Sequence, residues 1–187
     1  MSQKVFLSGS ITIKRLNDAM RERIAKIVAQ SLPIVIGDAG GADKAMQQFL
    51  AELRYPHVEV FCVGGACRNN VGDWRVHHVT ASDALKGREL FMQKDKAMAA
   101  EADYGLVLWD GKSPGSISNV FELAEAGKAV VVYFAPEKRF HTVKRASDIR
   151  ELLHHCAPSD YASLSRKIPV ERRLDRIAPA AQGSLGF

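Results

Sequence analysis

The feature that most constrains this chain is a series of short apolar runs whose side chains do not alternate with polar ones. Leu106-Val107-Leu108-Trp109 and Val130-Val131-Val132-Tyr133-Phe134 are continuous, and Val58 to Val63 is broken only by Glu59, as suits strands buried on both faces. Val5-Phe6-Leu7 and Ile34-Val35-Ile36 are shorter runs of the same kind. Between them lie segments with helical spacing. Asn17 is placed to cap a helix with Met20, Ile24, Ile27, Val28 and Ser31 on one face. Ala42, Ala45, Met46, Phe49, Leu50 and Leu53 make a second stripe, and Phe91, Asp95, Met98 and Ala102 a line along a third helix, Gly87 to Ala102. Ile117, Val120, Phe121 and Ala124 mark a fourth, which Gly127 stops. Strand and helix in alternation form the βαβ pattern of a parallel sheet with right-handed crossovers. The prediction is an α/β fold: a Rossmann-like parallel sheet of about five main strands with helices on both faces. Val76 to Thr80 is a candidate short extra strand.

The pattern covers residues 1–136, read as one domain, and residues 137–187 read as a basic C-terminal extension. Net charge is +5, but residues 1–136 hold 16 basic and 15 acidic groups, and residues 137–187 hold 10 and 6. The excess therefore sits in the extension, which argues against a nucleic-acid face on the sheet domain and leaves weak contact through the tail. Ser147 to Cys156 reads as one more helix, Pro158 onward is rich in Pro, Ser and Arg, and Ala178 to Phe187 is expected to be loosely ordered. With 47% hydrophobic and 25% charged residues, wholesale disorder is excluded. The longest apolar run, Ala129 to Ala135, is too short to span a bilayer, and no secretory signal precedes the first strand, so a cytoplasmic location without membrane contact is expected. Cys62, Cys67 and Cys156 are odd in number and unevenly spaced, so no disulfide framework is expected, and Cys62 reads as core. Combinations of Cys67 and Cys156 with His77, His78, His154 or His155 lack the paired spacing of a zinc site. No metal and no cofactor is expected, and His154-His155 reads as surface.

In open parallel sheets, ligands bind beyond the carboxyl ends of the strands where strand order reverses. With the five main strands ordered 3-2-1-4-5, that point lies between the first and fourth. Ser8-Gly9-Ser10 and Asp110 to Ser116 follow those two strands. The second loop has the parts of an anion cradle: Gly111 and Gly115 for tight turning, Ser113 and Ser116 as hydroxyl donors, Lys112 as a cation, and a helix start behind them. An ordinary Pro-Gly turn with Ser116 as cap is the plainer alternative. Gly37 to Asp43, with Gly40 and Gly41, also precedes a helix, but Asp38 and Asp43 oppose a phosphate. Asp38 either accepts hydrogen bonds from ribose hydroxyls or an amino group, or belongs to a capped turn. Arg68, Asn69 and Asn70 lie on a loop that either folds over the site or is solvated. Trp109 either stacks on a base or packs in the core, and Asp95 is either a buried carboxylate near the site or the edge of an apolar stripe. The sequence has neither G-x-G-x-x-G nor a Walker loop.

The run Ala102-Asp103-Tyr104-Gly105-Leu106-Val107-Leu108-Trp109-Asp110-Gly111-Lys112-Ser113-Pro114-Gly115-Ser116 resembles the signature of the SLOG superfamily, as do Ser8-Gly9-Ser10 and Gly37-Asp38-Ala39-Gly40-Gly41-Ala42-Asp43. The resemblance spans roughly residues 4–136. That superfamily includes Lonely Guy-type phosphoribohydrolases, nucleotide-sensing domains of bacterial conflict systems and a DNA-processing protein that loads recombinase. Nucleoside 2-deoxyribosyltransferases are similar in layout. The resemblance implies a Rossmann-like pocket for nucleotides or nucleosides, and dimerisation across helices beside it. Members that cleave glycosidic bonds carry Gly-Thr-x-x-Glu at this helix start, whereas Gly115-Ser116-Ile117-Ser118-Asn119 here puts Asn119 in place of the glutamate. An amide orients a ribose but neither forms a glycosyl ester nor carries full charge. Asp95 or Asp110 would have to supply the carboxylate; Glu122 substitutes only if the helix is shifted. The expectation is a module that senses or sequesters a nucleotide-derived molecule. The alternatives are an N-glycosidic hydrolase or transferase acting on nucleosides or nucleoside monophosphates, and single-stranded DNA binding.

Overall fold

A computed structural model describes residues 3–82 and 84–177. Seven strands form one sheet: β1 (Val5–Gly9), β2 (Ile34–Gly37), β3 (Val58–Val63), β4 (Arg75–Val79), β5 (Tyr104–Trp109), β6 (Ala129–Phe134) and β7 (Arg139–Val143). Their order is β4-β3-β2-β1-β5-β6-β7. Pairing is parallel throughout except between β6 and β7. The five central strands, β3-β2-β1-β5-β6, have the expected order with its reversal between β1 and β5. β4 is the anticipated short strand.

The apolar runs divide cleanly between two faces. Val5, Leu7, Ile34 and Ile36 pack with Met20, Ile24 and Ile27 of α1 (Asp18–Ala29) and Met46, Phe49 and Leu50 of α2 (Ala42–Glu52). Phe6, Val35 and Val107 point the other way, onto Met98 of α3 (Gly87–Glu101) and Ile117, Val120 and Phe121 of α4 (Pro114–Glu125). Successive residues facing opposite sides is the period-two geometry of a strand. Asn17 does cap α1, accepting from the Met20 N–H at 3.0 Å. α1 ends at Ala29, so Ser31 leaves the apolar face and turns with φ 54°; Leu53, just past α2, is exposed.

Beyond Phe134 a 3₁₀ turn (Ala135–Glu137) and a left-handed Lys138 reverse the chain into β7, a strand the sequence reading passes over. Then follow α5 (Ala146–His154), α6 (Pro158–Lys167) and α7 (Val170–Leu174). Val143, Ile149, Leu152, Leu164, Ile168, Val170, Leu174 and Ile177 join the apolar cluster of α3 and α4, so this basic segment shares the core of the sheet. Arg173 of α7 is buried, donating to Glu125 at 2.8 and 2.9 Å and to Glu122 at 2.9 Å. The expectation for Ala178 to Phe187 lies outside the described residues.

The cysteine reading needs correction. Cys62 is in the core as expected, but it is joined by a disulfide to Cys67, with a Cα–Cα distance of 5.3 Å. The Gly64-Gly65 turn after β3 brings the second thiol back to the strand end. His154 is exposed as expected, and His155, half-buried at the surface, lies 2.8 Å from Glu137. No helix among the described residues is long and apolar enough to cross a membrane.

Candidate functional site

At the β1/β5 reversal, three loops and a helix start are joined by small hydroxyl side chains. Ser8 Oγ accepts from Asn119 Nδ2 at 2.7 Å. Ser10 Oγ accepts the Asp110 N–H at 3.0 Å and lies 3.1 Å from Ser116 Oγ. Ser8, Ser10, Ser116 and Asn119 are all buried. Gly41 ties in the α2 end: its φ of +71° suits glycine, and a Cβ there would sit 2.2 Å from the Ile11 carbonyl oxygen.

The Asp110 loop is organised around its own carboxylate. Asp110 Oδ1 accepts from the Lys112 and Ser113 N–H groups at 2.9 and 2.7 Å, and Oδ2 accepts from Thr12 Oγ1 at 2.7 Å. Burial pushes this carboxyl up, but those hydrogen bonds prevail and hold it below its usual range. Gly111 turns with φ +78°, and Trp109, wholly buried, donates its indole N–H to the Ser113 carbonyl at 3.1 Å. Trp109 thus braces the loop from within the core and has no face for a base. Ser113 Oγ caps α4, accepting from the Ser116 N–H at 3.3 Å. Lys112 points to solvent, with its ammonium 3.6 Å from Asp160 of α6. Much of the cradle's donor capacity is therefore engaged internally, and the part of it that lines a cleft is Gly115.

A second centre lies beyond β2, and it is a buried ion network. Asp38 accepts from Arg68 through the backbone N–H (3.0 Å), Nε (3.1 Å) and Nη2 (2.7 Å), and from Lys94 Nζ (3.2 Å). Burial opposes its ionisation, yet the Arg68 bonds and the Lys94 charge draw it down to about 2. The Arg68 guanidinium also stacks on Phe91, 4.3 Å from the ring centroid. Asn69 donates to the Asp38 carbonyl at 2.8 Å. Asp43, in the first turn of α2, is pushed up to about 7 by burial, with the Asp95 charge adding to the effect and Lys94 opposing it. Its Oδ1 has no hydrogen-bond partner. Asp38, Arg68 and Asn69 are brought together, but they bind one another. Lys94, 3% exposed at the centre of the network, is absent from the sequence-derived site; its signal was a Lys-Asp pair beside an apolar helical line.

A cleft of 370 Å³ opens between facing sides of α3 and α4, next to the loop after β5. Gly87, Arg88, Phe91, Met92 and Asp95 line one side, and Gly115, Ser118, Asn119 and Glu122 the other. Arg88 Nη2 reaches Ser118 Oγ at 3.4 Å. Asp95, whose side chain is 21% exposed, is pushed up to about 6 by burial, with the Glu122 charge also raising it against the pull of Lys94, 3.8 Å away. Asn119 gives its amide N–H to Ser8, and its Oδ1 is buried without a hydrogen-bond partner. Of the three carboxylates considered for catalysis, Asp95 and Glu122 line this cleft; Asp110 does not. Arg88, Met92 and Ser118 were not singled out in the sequence, because helical spacing marks which residues are apolar and not which face an inter-helix gap.

No family model matches the sequence, and no curated protein matches it. Among solved structures, the fold matches DNA processing protein A from Helicobacter pylori, described in a study of its single-stranded DNA binding mode. The TM-score is 0.51 at 17% identity, over 70% of this chain and 64% of that one. This chain therefore spans under two thirds of that structure, and what the two are shown to share is a Rossmann-like α/β fold.

Proposed function

We propose that the cleft between α3 and α4 binds a nucleotide- or nucleoside-derived small molecule, and that the chain acts as a sensing or sequestering module. The observation that carries this reading is a cleft that sets Arg88, Asn119 and the start of α4 beside the apolar Phe91 and Met92. Phe91 and Met92 supply apolar surface for a base, and Arg88 with the Gly115 helix start supplies an anion-binding end. The volume lies within the range of small-molecule sites. The neighbour named above binds single-stranded DNA; a nucleotide unit is the chemistry common to that ligand and to this proposal.

The second reading, N-glycosidic hydrolysis or transfer, draws on Asp95 and Glu122 facing one cleft, one of them a carboxyl with raised proton affinity. In such a reaction Asp95 would protonate the departing base while Glu122 stabilised the sugar cation. Arg173 weakens that role, since its guanidinium already neutralises Glu122 from 2.9 Å. Binding is accordingly the stronger reading.

A thermal-shift panel of nucleosides and nucleotides, with free base followed by chromatography, separates the two. A binder raises its melting temperature with some member of the panel and releases no base. Base release that disappears in Asp95→Asn would establish the glycosidase. A single-stranded oligonucleotide belongs in the same panel: if it binds with an affinity that falls steeply with salt, and nucleotides do not compete, the ligand is DNA.

A further inference from the structure

Away from the cleft, on the far edge of the sheet, three metal-ligating side chains converge from three different elements. Glu137 closes the 3₁₀ turn, His141 is the middle residue of β7, and His155 caps the C-terminus of α5. Each offers a ligand atom, and these atoms all lie within 4.8 Å of one another. His155 Nδ1 is 2.8 Å from Glu137 Oε1, and the two imidazole centroids are 4.9 Å apart. His141 Nε2 is buried and has no hydrogen-bond partner. A buried ring nitrogen without a partner is costly. A cation bound to it would remove that penalty.

We propose that Glu137, His141 and His155 form a binding site for a divalent transition-metal cation of the zinc type, with one coordination position left open. Two imidazoles and a carboxylate suit Zn²⁺ and its borderline neighbours, and not the hard, all-oxygen preference of Mg²⁺ or Ca²⁺. Zn²⁺ bonds of about 2.0–2.1 Å in a tetrahedral site put ligand atoms roughly 3.3–3.5 Å apart. Reaching that spacing takes rotation of Glu137 and His155, which part from 2.8 Å as they approach His141, and their side chains, 38% and 27% exposed, have room to turn. One aromatic ring separates this site from the loop after β5. Phe134 lies 6.1 and 6.2 Å from the two imidazoles, and a Cβ on Gly111 would come 2.9 Å from its Cε2. The site is thus placed to stiffen the Asp110 loop through Phe134.

The test is titration of the full, untagged chain with Zn²⁺ by calorimetry and with Co²⁺ by visible absorption, after stripping with a chelator. Wild type should saturate at one equivalent, and Co²⁺ should develop the strong visible bands of a four-coordinate N/O site. His141→Ala and His155→Ala should each weaken Zn²⁺ binding at least about tenfold, and the double variant should abolish the Co²⁺ bands. Should His141→Ala fail to fold, His155→Ala and Glu137→Gln, at less buried positions, carry the same comparison. Absence of Zn²⁺ binding by wild type overturns the proposal. So does unchanged affinity in the variants, which would assign the cation to other histidines or to Cys156.

Discussion

Asp38 and Asp43 flank one glycine turn, face the same buried lysine, and titrate in opposite directions. Asp38 has Arg68 and Lys94 against it and stays ionised down to about 2, whereas Asp43 has an unpartnered oxygen and is held protonated up to about 7. The consequence for stability follows from linkage. Asp38 contributes stability that is complete above its unfolded value of 3.8 and is lost as pH falls from there through about 2. Asp43 acts the other way: between 3.8 and about 7 the unfolded chain has released a proton that the folded chain retains, so stability declines as pH rises across that window. Asp95, raised to about 6, adds to the same decline. Asp43→Asn should therefore flatten the fall in unfolding free energy between pH 4 and 7, as read by urea denaturation. An undiminished slope would mean that Asp43 is ionised and paired with Lys94. Little of this network was legible in the sequence. The acids at 38 and 43 were visible as groups that oppose a phosphate. That Lys94 and Arg68 neutralise one of them depends on a crossover that brings residues 56 positions apart into contact.

At the scale of elements, α4 is held from both ends. Its N-terminus is capped by Ser113 and tied to β1 through Asn119 and Ser8, while its outer side takes the Arg173 clamp from α7. Removing that guanidinium leaves two carboxylates, each 18% exposed, without their counter-ion. Arg173→Ala should cost roughly 1.5–3 kcal/mol, the range for hydrogen bonds to charged groups. A cycle with Glu125→Ala should recover part of that loss, and strict additivity in the denaturation midpoints would show that the clamp is energetically idle. The core helices were readable because their stripes are regular. The segment after Pro158 was harder, because its apolar residues Leu164, Ile168, Val170 and Leu174 are diluted by Ser, Arg and Pro and bury only against α4 and its neighbours. β7 was hidden for a related reason. As an antiparallel edge strand it carries Arg139, His141 and Thr142 around only two apolar residues, and a polar edge looks like loop in a sequence window.

For the whole molecule, continuous apolar strands separated by amphipathic helices specified the parallel sheet and its reversal at β1/β5, and a solved structure shares that architecture at a TM-score of 0.51. The same pattern did not locate the ligand volume. Loop composition drew attention to Asp110 to Ser116, yet much of that loop's hydrogen bonding is internal, and the open cleft begins where the loop becomes helix, at Gly115. Which donors are already used is a property of the folded backbone, and residue types alone do not reveal it. The central claim, a nucleotide-type ligand in the α3/α4 cleft, is tested most directly by calorimetric titration of nucleoside 5′-monophosphates into wild type and an Arg88→Ala/Asn119→Ala variant. Binding by wild type, weakened at least about tenfold in the variant in line with the loss of a charge-assisted bond and a polar lining group, is the predicted result. Wild type that binds none of them, or a variant that binds with the wild-type Kd, would contradict it.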